Sequence, residues 1–409
     1  MDNTAIPMSS PDLTGAEIEA VNDVLRTPYL SIGPQLEGFE QAISSFVGVK
    51  HAIGVNSGTS GLHLAVIAAG VGEGSYTGQD GRPDLVVTTP FSFVASANCI
   101  LYQRSIPIFV DVERATGNLD PALVVEAVHD LLSGGRAARR WLPPSLRDGQ
   151  EALGKLKAIL PIHAFGQPAD MDPIVEAGAR HQLAVIEDAC EAIGAEYRGR
   201  KVGTLGDAAV FAFYPNKQMT TGEGGMIVTG NSVWAELFQS LRNQGRDVFD
   251  AWLNHSRLGF NYRLDELSAA LGRAQMGRID ELLARREQVA SWYDERLAAV
   301  DLVERPHLAP TTSRMSWFVY VVRIKPPASR DDVMQTLASE GIPTRRYFSP
   351  IHLQPFYREQ FGYDRGDFEV TEFLGDVSLA LPFSGVMTES QVAQVCERLR
   401  AAVGLARER

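Results

Sequence analysis

Three short stretches carry residue types that could do chemistry. Lys217 stands between an apolar run, AAVFAFY, and a glycine-rich turn, TTGEGG. A long amine that leaves a buried strand and enters a turn where backbone can approach a ligand is placed for covalent or acid–base work. The same lysine could simply reach solvent or cap carbonyls. Glu187 and Asp188 end the apolar run LAVIED, where a carboxylate either caps a helix or faces a buried cation. In VNSGTSGLHL, the small residues Ser57, Gly58, Thr59 and Ser60 open a helical pattern directly after a strand-like run. Backbone amides and hydroxyls at such a turn suit a phosphate, and a serine or threonine cap before any helix looks similar.

Taken together, the three pieces fit one chemistry better than three accidents. Pyridoxal phosphate needs a lysine to hold it covalently, a carboxylate facing its ring nitrogen, and a cradle for its phosphate. The carboxylate favours the protonated nitrogen and so lets the ring absorb electrons. An aromatic face over the ring is also expected, and Phe91 in TTPFSFVA lies at another strand end.

The elements that must position these residues are legible as a series. HAIGV, DLVVTT, IPIFVDV, KAILPI, LAVIED, AAVFAF and GGMIVT are short, nearly unbroken apolar runs separated by helical patterns. Unbroken rather than alternating runs mark a sheet covered on both faces, and the strand–helix alternation implies a mainly parallel α/β sheet. In such sheets ligands sit at the carboxyl ends of the strands, where all three chemical pieces fall. After about residue 265 the texture changes to one long charged helical stretch, then WFVYVVRI and SLALP as strands, and RDDVMQTLASEG and TESQVAQVCERLRAAV as helices. The expected division is a large domain over 1–265 and a long linking helix with a smaller α+β domain over 266–409. Two segments interrupt the large domain. Residues 72–84 read as a polar surface loop, and 133–155 as a locally basic insertion, solvated or able to steer an anionic substrate.

Bulk properties narrow the partners. The 409 residues carry a net charge of −12, which argues against nucleic acid or an anionic membrane. The three cysteines, Cys99, Cys190 and Cys396, fit neither a disulfide framework nor a zinc site, and no metal is expected. MDNTAIPMSSPD is not the pattern of a signal peptide, and no apolar run reaches the ~20 residues of a membrane span, so a cytoplasmic protein is expected.

Over nearly its whole length the chain resembles the DegT/DnrJ/EryC1/StrS sugar aminotransferases, a branch of the fold type I pyridoxal-phosphate enzymes. YLSIGPQLEGFE, VNSGTSGLHLA, TTPFSFVASANCILY, PIHAFGQPADMDPI, GFNYRLDELSAALG and SPIHLQPFY carry the likeness. The stretch IEDACEAIGAEYRGRKVGTLGDAAVFAFYPNKQMTTGEGGMI is the most specific part. The resemblance implies that Lys217 holds the cofactor, Asp188 faces the ring nitrogen, Phe91 stacks on the ring, and Gly58, Thr59 and Ser60 bind the phosphate. It also implies a homodimer with shared sites, in which Asn261 of GFNYRL reaches the partner's phosphate. The implied reaction moves an amino group from an amino acid, L-glutamate, to a nucleotide-linked keto-sugar. Tyr29, His163, Arg345 and His352 are candidate substrate residues on the implied acceptor wall.

Two departures from the family pattern stand out. Ala212 replaces a serine whose hydroxyl reaches the phosphate, and Glu191 replaces a glutamine or histidine near the ring oxygen. An ionised glutamate there would repel the ring oxygen, so Glu191 must be protonated, turned away, or paired with a cation. The related sugar dehydratases carry histidine in place of the lysine, so Lys217 argues against that chemistry. A keto-cyclitol or shikimate-like ketone is the alternative acceptor. A regulatory protein that binds the cofactor without turnover would be expected to lack the lysine or the aspartate.

Overall fold

All seven apolar runs become strands of one sheet. The computed structural model describes residues 6–72, 81–148, 153–247 and 254–408. Most of the 72–84 loop therefore lies outside the described residues. The strands are β1 (His51–Val55), β2 (Leu85–Thr88), β3 (Ile106–Phe109), β4 (Leu156–Ile159) and β5 (Ala184–Asp188). After a short hairpin, β6 (Glu196–Tyr197) and β7 (Arg200–Lys201), come β8 (Ala208–Ala212) and β9 (Gly225–Thr229). Their order is β1-β9-β8-β5-β4-β2-β3. The pairs β2–β3, β2–β4, β4–β5 and β5–β8 are parallel, and β9 runs antiparallel to both β8 and β1. Since β1 and β8 both oppose β9, the carboxyl ends of β1, β2, β5 and β8 open on the same edge.

Helices on both faces explain why the runs do not alternate. Along β5, Ile186 packs into a core with Leu62, Ile100 and Phe238 on one face. Val185 packs into another with Phe39, Val124 and Ile174 on the other. Each such side chain contributes about 1.5–3 kcal/mol by leaving water.

The long charged stretch after residue 265 is two helices, Glu266–Met276 and Ile279–Leu297, rather than one. Gly277 closes the first helix, its N–H donating to the carbonyls of Arg273 and Ala274. Arg278 then leaves helical geometry (φ −123°, ψ 10°), with its guanidinium held by Asp12 and Glu17 at 3.1 and 3.0 Å. A glycine interior to a helix costs about 1 kcal/mol, so the break falls there at low cost. The second helix begins on the large-unit core through Leu282 and Leu283 and ends in a separate core through Val289, Tyr293 and Leu297. That second core belongs to an antiparallel sheet of β10 (Val303–Glu304), β12 (Tyr320–Ile324) and β13 (Ser378–Leu381). The intervening β11 (Thr312–Arg314) pairs instead with β6 of the hairpin.

The described part of the 133–155 insertion folds back on its own preceding helix. Arg140 pairs with Asp130 at 2.6 Å and with Glu126 at 2.5 Å, and the Trp141 indole donates to Asp130. One of its arginines is thus neutralised locally rather than aimed at a ligand. No helix among the described residues is long and apolar enough to cross a membrane.

Candidate active site

Asp188 is the last residue of β5, and its carboxylate is buried at the open sheet edge. The Ser96 hydroxyl donates to its Oδ2 at 2.6 Å, and the Cys190 amide to its Oδ1 at 3.2 Å. Its backbone is pinned by Pro161 and His163. Among the described residues no cation pairs with this carboxylate. A buried negative charge with two donors and no counter-ion suits a positively charged ligand group.

Its neighbour Glu187 points to the opposite face of the strand. There it accepts the amides of Gly203, Leu205 and Gly206 at 2.8–2.9 Å, together with Nε2 of His163 at 3.1 Å. Nδ1 of His163 accepts the Ala169 amide at 3.0 Å, which assigns the ring proton to Nε2. Both nitrogens of this buried ring are engaged in the interior. The geometry gives His163 a structural part and leaves it no nitrogen for a substrate.

Lys217 follows β8 at the same edge. Its Nζ lies 3.5 Å from Oε1 of Glu191 and 3.9 Å from the centre of the Phe318 ring. Of the three options left open for Glu191, the structure shows the pair with a cation. Oε2 of Glu191 also accepts the Phe165 amide at 2.9 Å. Phe165 adopts a left-handed backbone (φ 61°) to offer that N–H. Burial pushes the Glu191 carboxyl up, and the Lys217 charge opposes the shift.

The turn after β1 is capped by Ser57, whose Oγ accepts the Ser60 amide at 3.1 Å. The Ser60 hydroxyl in turn donates to Asn56 at 2.7 Å, so Ser60 orders the turn from within. The amides of Gly58 and Thr59, at the start of the helix Gly58–Ala68, have no acceptor among the described residues. A Cβ on Gly58 would lie 2.7 Å from Ala212 Cβ and 2.8 Å from Cys190 Sγ. The turn therefore rests directly on the two strand ends beneath it and needs glycine for steric reasons.

Two aromatics of the TTPFSFVA stretch separate. Phe91 is buried and packs edge-on against Phe348 and Phe165, with Val112 and Leu374 around it. Phe93 is 64% exposed on the turn that leads to Ser96. The alternation of a bend decides this, and sequence alone does not distinguish the two rings. Phe93, not Phe91, is the ring left exposed, on the turn whose Ser96 bonds Asp188.

The remaining candidates scatter. His352 is buried, its Nε2 bound to Glu372 at 3.1 Å, and burial pushes its ring pKa down. It supports the loop from inside. Tyr29 is exposed, and so is Arg345, whose backbone pairs with Ala380. Two residues on, the Tyr347 ring packs against Phe165 and Phe318. Burial and the Glu191 charge push its phenol up to about 12. Asn261 is exposed, and its backbone carbonyl accepts from the Asn56 side chain at 3.4 Å, beside the Ser57 turn of its own chain. Phe93 and Ser96 lie within TTPFSFVASANCILY, but nothing in that stretch singles them out, and Phe318 and Tyr347 stand in no motif.

Comparisons with known proteins show which family the chain belongs to. The family model for the DegT/DnrJ/EryC1/StrS aminotransferase family matches residues 11–400. A GDP-perosamine synthase of Caulobacter vibrioides is 39% identical over 404 residues, covering 97% of this chain and 98% of that protein. The crystal structure of S. venezuelae DesV in complex with a ketimine intermediate superposes with a TM-score of 0.82 at 30% identity, covering 98% of both chains. That of 3-amino-5-hydroxybenzoic acid synthase gives 0.83 at 26% identity, covering 98% of this chain and all of the other. The chain is an aminotransferase and belongs to the DegT/DnrJ/EryC1/StrS family.

Proposed function

We propose that the protein uses pyridoxal phosphate, held on Lys217, to move an amino group from L-glutamate to the ketone of a nucleotide-linked sugar. One observation carries the reading. The Lys217 amine, the Asp188 carboxylate and the Gly58–Thr59 amides all lie at one edge of one sheet, the carboxylate with no counter-ion and the amides with no acceptor among the described residues. The residues fit the cofactor because each supplies what one part of it lacks: an amine, a counter-charge and phosphate donors.

When bound, pyridoxal phosphate carries the amino group between the two substrates and absorbs the electron pair released with the donor's α-proton. The chain's own residues supply the rest. Lys217 holds the cofactor at rest and, once released, takes the α-proton of the donor on Nζ and returns one to the acceptor carbon. Phe318 and Glu191 fix where that amine can stand. Asp188 stabilises a protonated ring nitrogen, and Ser96 keeps its carboxylate aimed. Gly58 and Thr59 anchor the phosphate by their amides, and Phe93 offers a ring face. Arg345 and Tyr347 line the acceptor side. Amine and ketone oxygen are exchanged, with no net oxidation.

The acceptor class rests on the likeness to a GDP-perosamine synthase at 39% identity. An aromatic or cyclitol acceptor is suggested only by the more distant likeness to 3-amino-5-hydroxybenzoic acid synthase at 26%. Two copies sharing their sites, with Asn261 serving the partner's phosphate, complete the proposal. The test of the cofactor assignment is borohydride reduction. The yellow protein should gain the cofactor's mass on the peptide containing Lys217, and mass on another lysine would sink the assignment.

A further inference from the structure

Arg286 is a buried cation with no carboxylate on its guanidinium among the described residues. It stands on the helix Ile279–Leu297 where that helix passes from one core to the other, between Leu283 and Val289. Its guanidinium donates to four backbone carbonyls. Nη2 reaches Asn216 and Lys217 at 3.2 and 2.5 Å, and Nη1 reaches Trp317 and Phe318 at 3.3 and 3.1 Å. Two of these carbonyls belong to the loop that carries the lysine. The other two belong to the segment that leads into β12, whose Phe318 ring lies against the lysine amine.

A buried charge satisfied only by carbonyl dipoles is costly. Burial accordingly pushes the guanidinium down to about 10. An apolar side chain of the same length would fill the space without that cost, but it could not tie the two segments together. The fork geometry of guanidinium suits the task, because its two ends can address two separate segments at once, and an ammonium cannot.

We infer that Arg286 is a positioning residue for Lys217: its guanidinium locks the lysine loop to the Phe318 segment and so fixes the Lys217 amine against the Phe318 ring. Gln218 strengthens the same seam, donating to the carbonyls of Glu191 and Ser316. The side chain of Lys217 has several rotatable bonds, and the Glu191 contact alone is long. Holding its backbone and its aromatic wall to one rigid group removes most of that freedom. This role rests on the functional reading for its catalytic meaning but not for its geometry.

The test uses Arg286→Lys and Arg286→Met in the full-length protein, with two readouts. The first is hydrogen exchange of the cofactor-free protein. Release of the clamp should speed exchange at Lys217 and at Phe318 together, at least tenfold, while the amides of β1 keep their native rates. The second is the fraction of Lys217 that borohydride links to added pyridoxal phosphate, which should fall at least fivefold in both variants. Arg286→Ala with added ethylguanidinium should recover the linkage, and ethylammonium should not. Native exchange at both segments in a folded Arg286→Lys protein would overturn the inference, as would exchange accelerated equally throughout the chain. If the unsubstituted protein fails to link pyridoxal phosphate at Lys217, the functional reading falls, and the paired exchange response still decides the clamp.

Discussion

The Glu191 carboxylate stands 3.5 Å from the Lys217 amine, inside a pocket that burial makes unfavourable for an isolated charge. The pair has a consequence for stability. Burial holds the Glu191 carboxyl above its ordinary 4.5, so between the two values the folded chain binds more protons than the unfolded one. The stability contributed is present below the ordinary value and is lost as pH rises through the raised one. Glu191→Gln removes that loss. The melting temperature of the cofactor-free Gln variant, relative to the parent, should therefore climb between pH 4 and pH 8. A difference that is flat or falling with pH would contradict the burial account.

Asp188 and Ser96 should differ in degree. Asp188→Asn keeps the shape and removes the charge, and the half-reaction with glutamate should slow by about 100-fold or more, some 2.7 kcal/mol. Ser96→Ala removes one hydrogen bond to a charged group, worth about 1.5–2.5 kcal/mol, or roughly 10–70-fold. Single-turnover absorbance changes measure both. Equal, negligible effects would place another group on the ring nitrogen.

Phe91 and Phe93 separate core from site. Phe91→Ala empties a packed core position and should cost about 3–5 kcal/mol of stability. Phe93→Ala alters an exposed ring and should leave the denaturation midpoint nearly unchanged while weakening cofactor retention several-fold on dialysis. The reverse pattern would restore Phe91 as the stacking ring.

These two phenylalanines also show where the sequence stops being informative. The seven strands are legible because short, nearly unbroken apolar runs separated by helical patterns suit a sheet covered on both faces; Asp188 ends one such run, and Lys217 follows another. Glu187 was not separable from Asp188 until the strand's alternation put them on opposite faces. The charged stretch after residue 265 reads as one helix, because a single glycine does not by itself end a helical pattern, while the backbone breaks at Gly277 and Arg278. His163 and His352 looked like site residues by type, but their partners, Glu187 and Glu372, are long-range and leave no local signature. Ser96, Phe318 and Arg286 reach the site only through tertiary packing.

Asn261 lies beside the Ser57 turn of its own chain through its backbone, with its side chain exposed. On the proposed reading, alanine at 212 would leave the cofactor's phosphate without one hydroxyl, and the Asn261 amide should matter more. Asn261→Ala should lose cofactor measurably faster than the parent without unfolding. Co-expression with Lys217→Ala tells which chain it serves. If Asn261 acts across the subunit seam, mixed dimers regain up to about half the native activity per dimer, because one site has both residues intact. If it serves its own chain, mixing restores nothing.

The central claim is that the amino group of glutamate ends on a nucleotide-linked sugar. It is tested most directly by giving the holoenzyme ¹⁵N-glutamate with a panel of nucleotide-linked keto-sugars, a keto-cyclitol and a shikimate-like ketone, and weighing the products. The account predicts ¹⁵N retained in one nucleotide-sugar product, with one 2-oxoglutarate released per amine transferred. Label appearing only in the cyclitol or aromatic product, or loss of a sugar hydroxyl with no nitrogen retained, would contradict it.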